Sequence, residues 1–335
     1  MEHRVRIAQT GAPDVLAYET FHLPAPGPGE ARVRHRAIGV NMIDTYHRSG
    51  LYPLPLPATL GVEAAGVIEA LGPPADGPTG PGDHPPHYGL KEGQRVAYTV
   101  QKPGTYATAN LVPSERLIPL PEDLSEEVAA AALLKGMTVD MLVRRVHPVK
   151  FAEPVLFHAA AGGVGQLALQ WLSDIGAKVI ATVGSDEKAE IAKRHGALHT
   201  IVYTREDFKA RVRELYPEGV PVVYDSVGKA TFEGSLDCLA VRGILVSFGN
   251  ASGKPPPLEV GTLAAKGSLF LTRPTLFSYT RTRAELLESS AALFVMLRKG
   301  GLAPDITQRF PLAEAAAAHR ALESRKTTGQ ILLIP

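Results

Sequence analysis

The residues whose chemistry is clearest are three small ones at fixed spacing, Ala160, Gly162 and Gly165, in Val155-Leu-Phe-His-Ala-Ala-Ala-Gly-Gly-Val-Gly-Gln-Leu-Ala-Leu-Gln-Trp171. Small side chains there let the backbone approach a pyrophosphate. The helix that follows offers free N–H groups and partial positive charge to it. Alanine stands where the dinucleotide fingerprint has its first glycine. The chemistry expected is dinucleotide binding, with Gly162, Gly163 and Val164 at the phosphates; a tight strand-to-helix turn in some other α/β protein is the plainer reading. Further on, Thr182-Val-Gly-Ser-Asp-Glu-Lys188 closes a second apolar run. An NAD site usually has an acidic side chain at such a strand end, bonded to the ribose hydroxyls. Here the tip is Gly184, which leaves room for a 2′-phosphate within reach of Lys188. Ser185 also reads as a helix N-cap, with Asp186 and Glu187 favouring the helix dipole. A misplaced carboxylate would repel the phosphate, yet the pattern favours NADPH over NADH.

Those residues need strands and helices to hold them. Six mostly apolar residues enter the glycine turn, and Val164, Leu167, Ala168 and Trp171 share one face of the helix after it. Lys178–Gly184, His199–Thr204, Pro221–Gly228, Gly243–Gly249 and Ser268–Arg273 read as further strands. Helical patterns over Asp186–His195, Glu206–Leu215 and Lys229–Leu239 lie between them. Alternation of this kind predicts βαβ crossovers and a parallel sheet, and unbroken Val/Ile/Leu runs suit strands buried on both faces. His158, inside the first strand, reads as a satisfied core histidine.

The first 120 or so residues differ. Short candidate strands, such as Ala31–Ile38 and Gln94–Val100, sit between Pro/Gly turns and predict an irregular β-barrel. Pro73–Leu90 reads as a solvated loop; its His84 and His87 have no further ligands nearby to make a metal site. Leu124–Val146 reads as a long helix with Ser125 as its cap. The chain turns helical again from about 285, and Gly329–Pro335 reads as a strand returning to the N-terminal part. The division expected is 1–124, with 276–335 returning to it, and 125–275.

Composition narrows the class. The 335 residues are 45% hydrophobic and 21% charged with net charge +1, ordinary for a globular protein and unlike a basic nucleic-acid binder. The single cysteine, Cys238, excludes an intrachain disulfide framework and a four-cysteine zinc site within the chain. No apolar run is long enough to span a membrane, and no signal-peptide pattern opens the chain, so a cytoplasmic location is expected.

Several stretches together resemble a known family: Asn41-Met-Ile-Asp-Thr-Tyr-His-Arg-Ser-Gly-Leu-Tyr-Pro53, Gly61-Val-Glu-Ala-Ala-Gly66, Leu134-Lys-Gly-Met-Thr138, the Ala-Ala-Gly-Gly-Val-Gly loop, Tyr224-Asp-Ser-Val-Gly228 and Ser247-Phe-Gly-Asn250. The chain resembles, over essentially its whole length, the zinc-independent quinone oxidoreductases of the medium-chain dehydrogenase/reductase superfamily, the group that includes zeta-crystallin. The 73–90 loop is longer than usual for it. The resemblance implies a Rossmann doubly wound parallel sheet beside a GroES-like irregular β-barrel. Zinc-type relatives bind metal through a cysteine near position 41 and the histidine of a Gly-His-Glu motif. This chain has Asn41 and Val62 there, and neither replaces thiolate or imidazole as a zinc ligand. No metal is expected, and without a Lewis acid the acceptor must itself be electrophilic, as a quinone is.

The resemblance also implies roles. Lys188, Tyr203 and Arg325 would hold the 2′-phosphate. Asn41, Asp44, Tyr46 and Tyr52 of the N-terminal domain, with Arg273 of the last strand, would form the substrate site between the domains. The tyrosines would wall a quinone ring, and Arg273 would face a developing oxyanion. Asn41, Thr138, Ser226, Phe248 and Asn250 would line the nicotinamide side, and Ser185 the ribose side. The last strand would pair across a twofold axis in a homodimer. The expected function is NADPH-dependent quinone reduction. An enone or alkenal reductase on the same scaffold is the near alternative. A structural or RNA-binding role is the distant one, disfavoured by neutral charge and the lack of an Arg/aromatic stripe.

Overall fold

The computed structural model of the chain describes residues 1–74, 86–324 and 326–335. Of the expected residues, His84 and Arg325 lie outside that range. The described residues fall into two compact units: Met1–Leu134 with Thr282–Phe294 and Pro304–Pro335, and Lys135–Arg281 with Val295–Ala303.

The first unit opens with short strands: β1 (Glu2–Ile7), β2 (Ala17–Phe21), β3 (Glu30–Gly39), β4 (Ala58–Thr59), β5 (Glu63–Leu71), β6 (Arg95–Thr99), β7 (Ala109–Pro113) and β8 (Ile118–Pro119). In β3 the period of two is visible in burial. Ala31 and Val33 point into the core, while Arg32 and Arg34 stay partly exposed and pair with Glu69 of the adjacent β5 and Glu2 of β1. A helix, α1 (Met42–Ser49), leaves the end of β3 and stops at Gly50, whose φ of 83° only glycine adopts without strain. His87 is held by its own chain, Nδ1 2.7 Å from the Ser114 hydroxyl and Nε2 2.9 Å from the Gly72 carbonyl.

Next comes α2 (Glu126–Asp140), capped as expected by Ser125, whose Oγ accepts from the Val128 N–H. The long helix predicted to Val146 changes character at Met141, where the chain winds as a π-helix. The His147 N–H bonds the Leu142 carbonyl, and the buried Tyr224 hydroxyl donates to that same carbonyl at 3.1 Å. A tertiary hydrogen bond at the turn thus accompanies the wider winding, which helical periodicity does not reveal.

The second unit alternates: β9 (Pro154–Phe157), α3 (Gly163–Ile175), β10 (Lys178–Val183), α4 (Asp186–Arg194), β11 (His199–Val202), α5 (Phe208–Leu215), β12 (Val220–Asp225), α6 (Phe232–Asp237), β13 (Leu239–Ser247), α7 (Gly261–Ala265), β14 (Phe270–Thr272) and α8 (Leu276–Tyr279). The strands form one parallel sheet in the order β11-β10-β9-β12-β13-β14. β9 and β10 are buried almost throughout, as their unbroken apolar runs require. Leu167, Ala168 and Trp171 of α3 are buried; Val164 is only partly so. Two helices start later than periodicity suggests. α5 begins after Asp207, whose carboxylate accepts the Lys209 N–H, and α6 begins after Thr231, whose hydroxyl donates to Asp225. Cys238 ends α6 fully buried, and burial pushes its thiol up to about 12, so it packs as a small apolar group.

The chain then runs through α9 (Arg283–Arg298), β15 (Ile306–Pro311), α10 (Ala315–Glu323) and β16 (Gln330–Ile334). β16 pairs antiparallel with β3, setting Leu333 opposite Ile38, so the last strand completes the sheet β15-β16-β3-β5-β6-β8 of the first unit. Ile7, Val33, Ile38, Ile68, Leu312 and Leu333 share its core.

Candidate active site

The turn between β9 and α3 is built on short backbone contacts. Ala159 takes a left-handed conformation, φ 53°, and the Ala160 N–H bonds the Thr182 carbonyl of β10 at 3.2 Å. Gly162 is the extended N-cap of α3, and Gly163 and Val164 open the helix. A Cβ at Gly165 would lie 2.5 Å from the Ala160 carbonyl oxygen and 2.6 Å from that of Ala159, a contact that side chains do not make. A Cβ at the exposed Gly162 would meet nothing closer than the Ala159 oxygen at 3.3 Å. One glycine therefore brings helix and strand together, and the other leaves the approach to the helix start open. The turn fits a dinucleotide pyrophosphate. His158 behind it is fully buried, with Nδ1 2.8 Å from the Thr182 hydroxyl and Nε2 3.0 Å from that of Ser235. Burial, opposed by the Asp225 charge, pulls its pKa below the usual range, so it is neutral and structural.

At the end of β10, Ser185 caps α4 and accepts the Lys188 N–H at 3.3 Å. A Cβ at Gly184 would sit 3.1 Å from the Tyr203 hydroxyl. Gly184, Ser185, Lys188 and Tyr203 are thus brought together, with no acidic side chain at the strand tip. Asp186 is engaged by both terminal nitrogens of Arg205, each at 2.5 Å. Arg205 was not singled out from sequence, since only the return of β11 beside β10 brings it to Asp186.

The ends of β12 and β13 carry Ser226, Phe248 and Asn250. The buried Asp225 organises this edge. Its Oδ1 accepts the N–H groups of Val227 and Gly228 at 2.7 and 3.0 Å, and its Oδ2 the hydroxyls of Thr231 and Ser235 at 2.7 and 3.0 Å. Gly249 lies so close to Ser226 that a Cβ would be 2.4 Å from its carbonyl oxygen. Phe248 packs on Phe157 with ring centroids 5.9 Å apart, and Asn250 is buried. Arg273 donates to the Ser247 hydroxyl at 3.1 Å and the Gly249 carbonyl at 2.9 Å. It braces the Phe248–Asn250 turn, a contact that its sequence context did not reveal. Thr138 is half-buried on α2.

In the first unit the expected substrate residues lie along α1 and just beyond it, from its N-cap Asn41 to Tyr52. The Asn41 N–H donates to Asp44 Oδ2 at 2.9 Å, and its side-chain Nδ2 donates to Glu63 Oε2 at 2.9 Å and to the Gly39 carbonyl at 3.3 Å. Both N–H groups of that amide are occupied, which fixes its orientation. Tyr46 and Tyr52 stack edge to face, centroids 5.2 Å apart. Glu63 was missed from sequence. Fully buried, it also accepts the Leu134 N–H of α2 at 2.6 Å.

A chain of directed hydrogen bonds backs Asp44. Arg48 donates to His319 Nδ1 at 3.2 Å, which leaves the proton on Nε2; that nitrogen lies 3.0 Å from the Tyr106 hydroxyl, which donates to Asp44 Oδ2 at 3.0 Å. Burial, and secondarily Arg48, pulls His319 down to about 3, in keeping with a neutral ring. Burial, and then the Asp44 charge, pushes the Tyr106 hydroxyl well above its usual range. Among the described residues, no three His, Cys, Asp or Glu side chains are grouped to hold a metal ion.

Residues 27–122 match the alcohol dehydrogenase GroES-like domain and residues 163–290 the zinc-binding dehydrogenase family. The chain is 48% identical to a quinone oxidoreductase of Pseudomonas aeruginosa, covering 100% of both chains. It is 44% identical to a 2-haloacrylate reductase of a Burkholderia species, covering 98% of each. The crystal structure of Escherichia coli quinone oxidoreductase complexed with NADPH superposes with a TM-score of 0.94 at 44% identity, covering 99% of this chain and 100% of that one.

The Gly165 contact gives a direct test of the turn. Gly165→Ala should destabilise the fold by about 1–3 kcal/mol, as forced overpacking does, and weaken dinucleotide binding about tenfold or more by displacing the Ala160 backbone. Thermal melts and fluorescence titration with NADPH would show both; unchanged affinity in a folded variant would mean that the dinucleotide is seated elsewhere.

Proposed function

The chain belongs to the zinc-independent quinone oxidoreductases of the medium-chain dehydrogenase/reductase superfamily, and we infer that it is an NADPH-dependent quinone reductase. The observation that carries this reading is a pairing within one chain. The dinucleotide turn is intact, while the two positions at which zinc-type relatives hold metal are Asn41, its amide already committed to Glu63, and Val62, buried and apolar. Bound NADPH supplies a hydride. A quinone accepts it without Lewis-acid help, because reduction makes the ring aromatic.

The residues of this chain bind and orient. Gly162, Gly163 and Val164 take the pyrophosphate; Gly184, Ser185, Lys188 and Tyr203 take the phosphorylated ribose, with Arg325 as a further cation. Thr138, Ser226, Phe248 and Asn250 line the nicotinamide side. Asn41, its amide held by Glu63, is assigned to the nicotinamide by the family resemblance, and Asp44 keeps the start of α1 in place. Tyr46 and Tyr52 offer flat apolar walls and hydroxyl donors to a quinone and its oxygens. Arg273 braces the turn beside the nicotinamide and brings positive charge to a developing oxyanion. An activated enone is the second reading, favoured by the 2-haloacrylate reductase relative.

We also propose a homodimer. β14 ends the parallel sheet, and no described strand pairs beyond it. Phe270 and Leu271 on it, with Val241 of β13, are 60%, 37% and 71% exposed, an apolar edge suited to an isologous partner. Among the described residues no helix is long and apolar enough to cross a membrane. A cytoplasmic location, where NADPH is available, fits this reading.

Two measurements check these proposals. Steady-state oxidation of NADPH across quinones and activated enones should give kcat/KM for the best quinone about tenfold or more above that for the best enone; the reverse order would favour the enone reading. Light scattering should give twice the chain mass, and Phe270→Asp should shift it toward one; a monomer at all micromolar concentrations would contradict the dimer.

A further inference from the structure

Asp186 sits beside the ribose-phosphate residues but has no place in binding a phosphate. It is the first residue of α4, directly after Ser185 and Gly184. A carboxylate there suits the helix dipole, yet beside residues that would take a phosphate it carries the wrong sign for NADPH. Arg205 answers it. The Thr204 hydroxyl donates to the Gly184 carbonyl at 3.4 Å, closing the Tyr203–Arg205 segment onto the end of β10. Arg205 then meets Asp186 with Nη1 on Oδ2 and Nη2 on Oδ1, both at 2.5 Å, a two-point fork that lysine could not form.

The pair is wide open to solvent, with side chains 58% and 70% exposed, so it adds little to stability. Its neighbours act on Asp186 more weakly. Glu206 is turned onto the Val202 N–H and Arg211, and Lys193 is paired with Glu190. Arg205 also holds the Asp186 carboxyl below its usual range, so both members are charged at neutral pH.

We propose that Arg205 is a cofactor-selectivity residue that acts by masking Asp186. With the guanidinium in place, the carboxylate is cancelled and no net negative charge from this pair stands beside the ribose-phosphate residues. Without it, a full negative charge stands next to the ribose-phosphate residues. NADH, with a hydroxyl in place of the phosphate, senses the difference weakly. This rests on the NADPH reading above and deepens it.

A double-mutant cycle on the full chain tests it, with NADPH and NADH affinities read by fluorescence titration rather than by turnover. Arg205→Ala should weaken NADPH binding by about three- to tenfold at low salt and leave NADH within about twofold, the size expected of one exposed charge near a phosphate. The loss should shrink at high salt. Arg205→Lys should keep most of the preference, and Arg205→Ala should melt with the wild type. In an Asp186→Asn background, Arg205→Ala should cost less than about twofold, because the carboxylate that Arg205 bonds is gone. NADPH affinity unchanged in Arg205→Ala would overturn the inference. So would an equal loss in the Asp186→Asn background, which would mean that Arg205 binds the phosphate itself. Equal binding of NADPH and NADH by the wild type would instead defeat the cofactor reading. A wild-type preference that is unchanged in Arg205→Ala would defeat this inference alone.

Discussion

The second unit depends on one backbone approach. Helix α3 comes so near the end of β9 that the Gly165 Cα lies against the Ala159 and Ala160 carbonyl groups, with no room for a side chain. That contact sets where the helix starts and which way it points. The position of the pyrophosphate follows from it, because helix N-termini bind anions through geometry as much as through charge. β9 lies inside the sheet, flanked by β10 and β12, so the same contact relates the turn to both neighbouring strand ends. Gly184 with Tyr203 extends from one side, and Ser226 with Phe248 and Asn250 from the other.

In the first unit a carboxylate organises the region where zinc-type relatives bind metal. Glu63 is fully buried and reaches both the Asn41 amide and the Leu134 backbone. It needs Gly39 beside it, since a Cβ there would lie 2.3 Å from Glu63 Oε2 and 2.3 Å from the Ala130 carbonyl oxygen. Buried charge is costly unless hydrogen-bonded, and Glu63 has donors on both oxygens. Asp44 is held through one oxygen, Oδ2, which accepts both the Asn41 N–H and the Tyr106 hydroxyl. A metal ion fixes geometry through coordination bonds; here hydrogen bonds to two buried acids do so, and hydride transfer is left to an acceptor that needs no activation.

What the sequence makes legible is local. The β9 turn and α3 declare themselves because strand, glycines and amphipathic helix are contiguous, and the βα alternation gives the parallel sheet. Ends of elements are less legible: α5 waits for the Asp207 cap, and α2 turns into a π-helix where the Tyr224 hydroxyl reaches its carbonyl. Resemblance pointed to Asn41, Asp44, Tyr46 and Tyr52, but not to what holds them. Tyr106 lies 62 residues from Asp44 in sequence and His319 lies 213 from Tyr106. Arg205 is 19 residues from Asp186. Such pairs carry no periodic signal, because β-strand pairing and the return of the C-terminal strand create their proximity.

Hydride passes directly from NADPH to a quinone, with no metal ion taking part, if these residues act as assigned. Single-turnover oxidation of NADPH by a quinone in excess chelator, with and without deuterium at the transferable C4 position, tests it most directly. The rate should survive chelation and fall about two- to fivefold on deuteration, as expected when breaking the C–H bond limits the step. Loss of the reaction with chelator, restored by zinc, would contradict it, as would transfer of electrons with no isotope effect when the chemical step is rate-limiting.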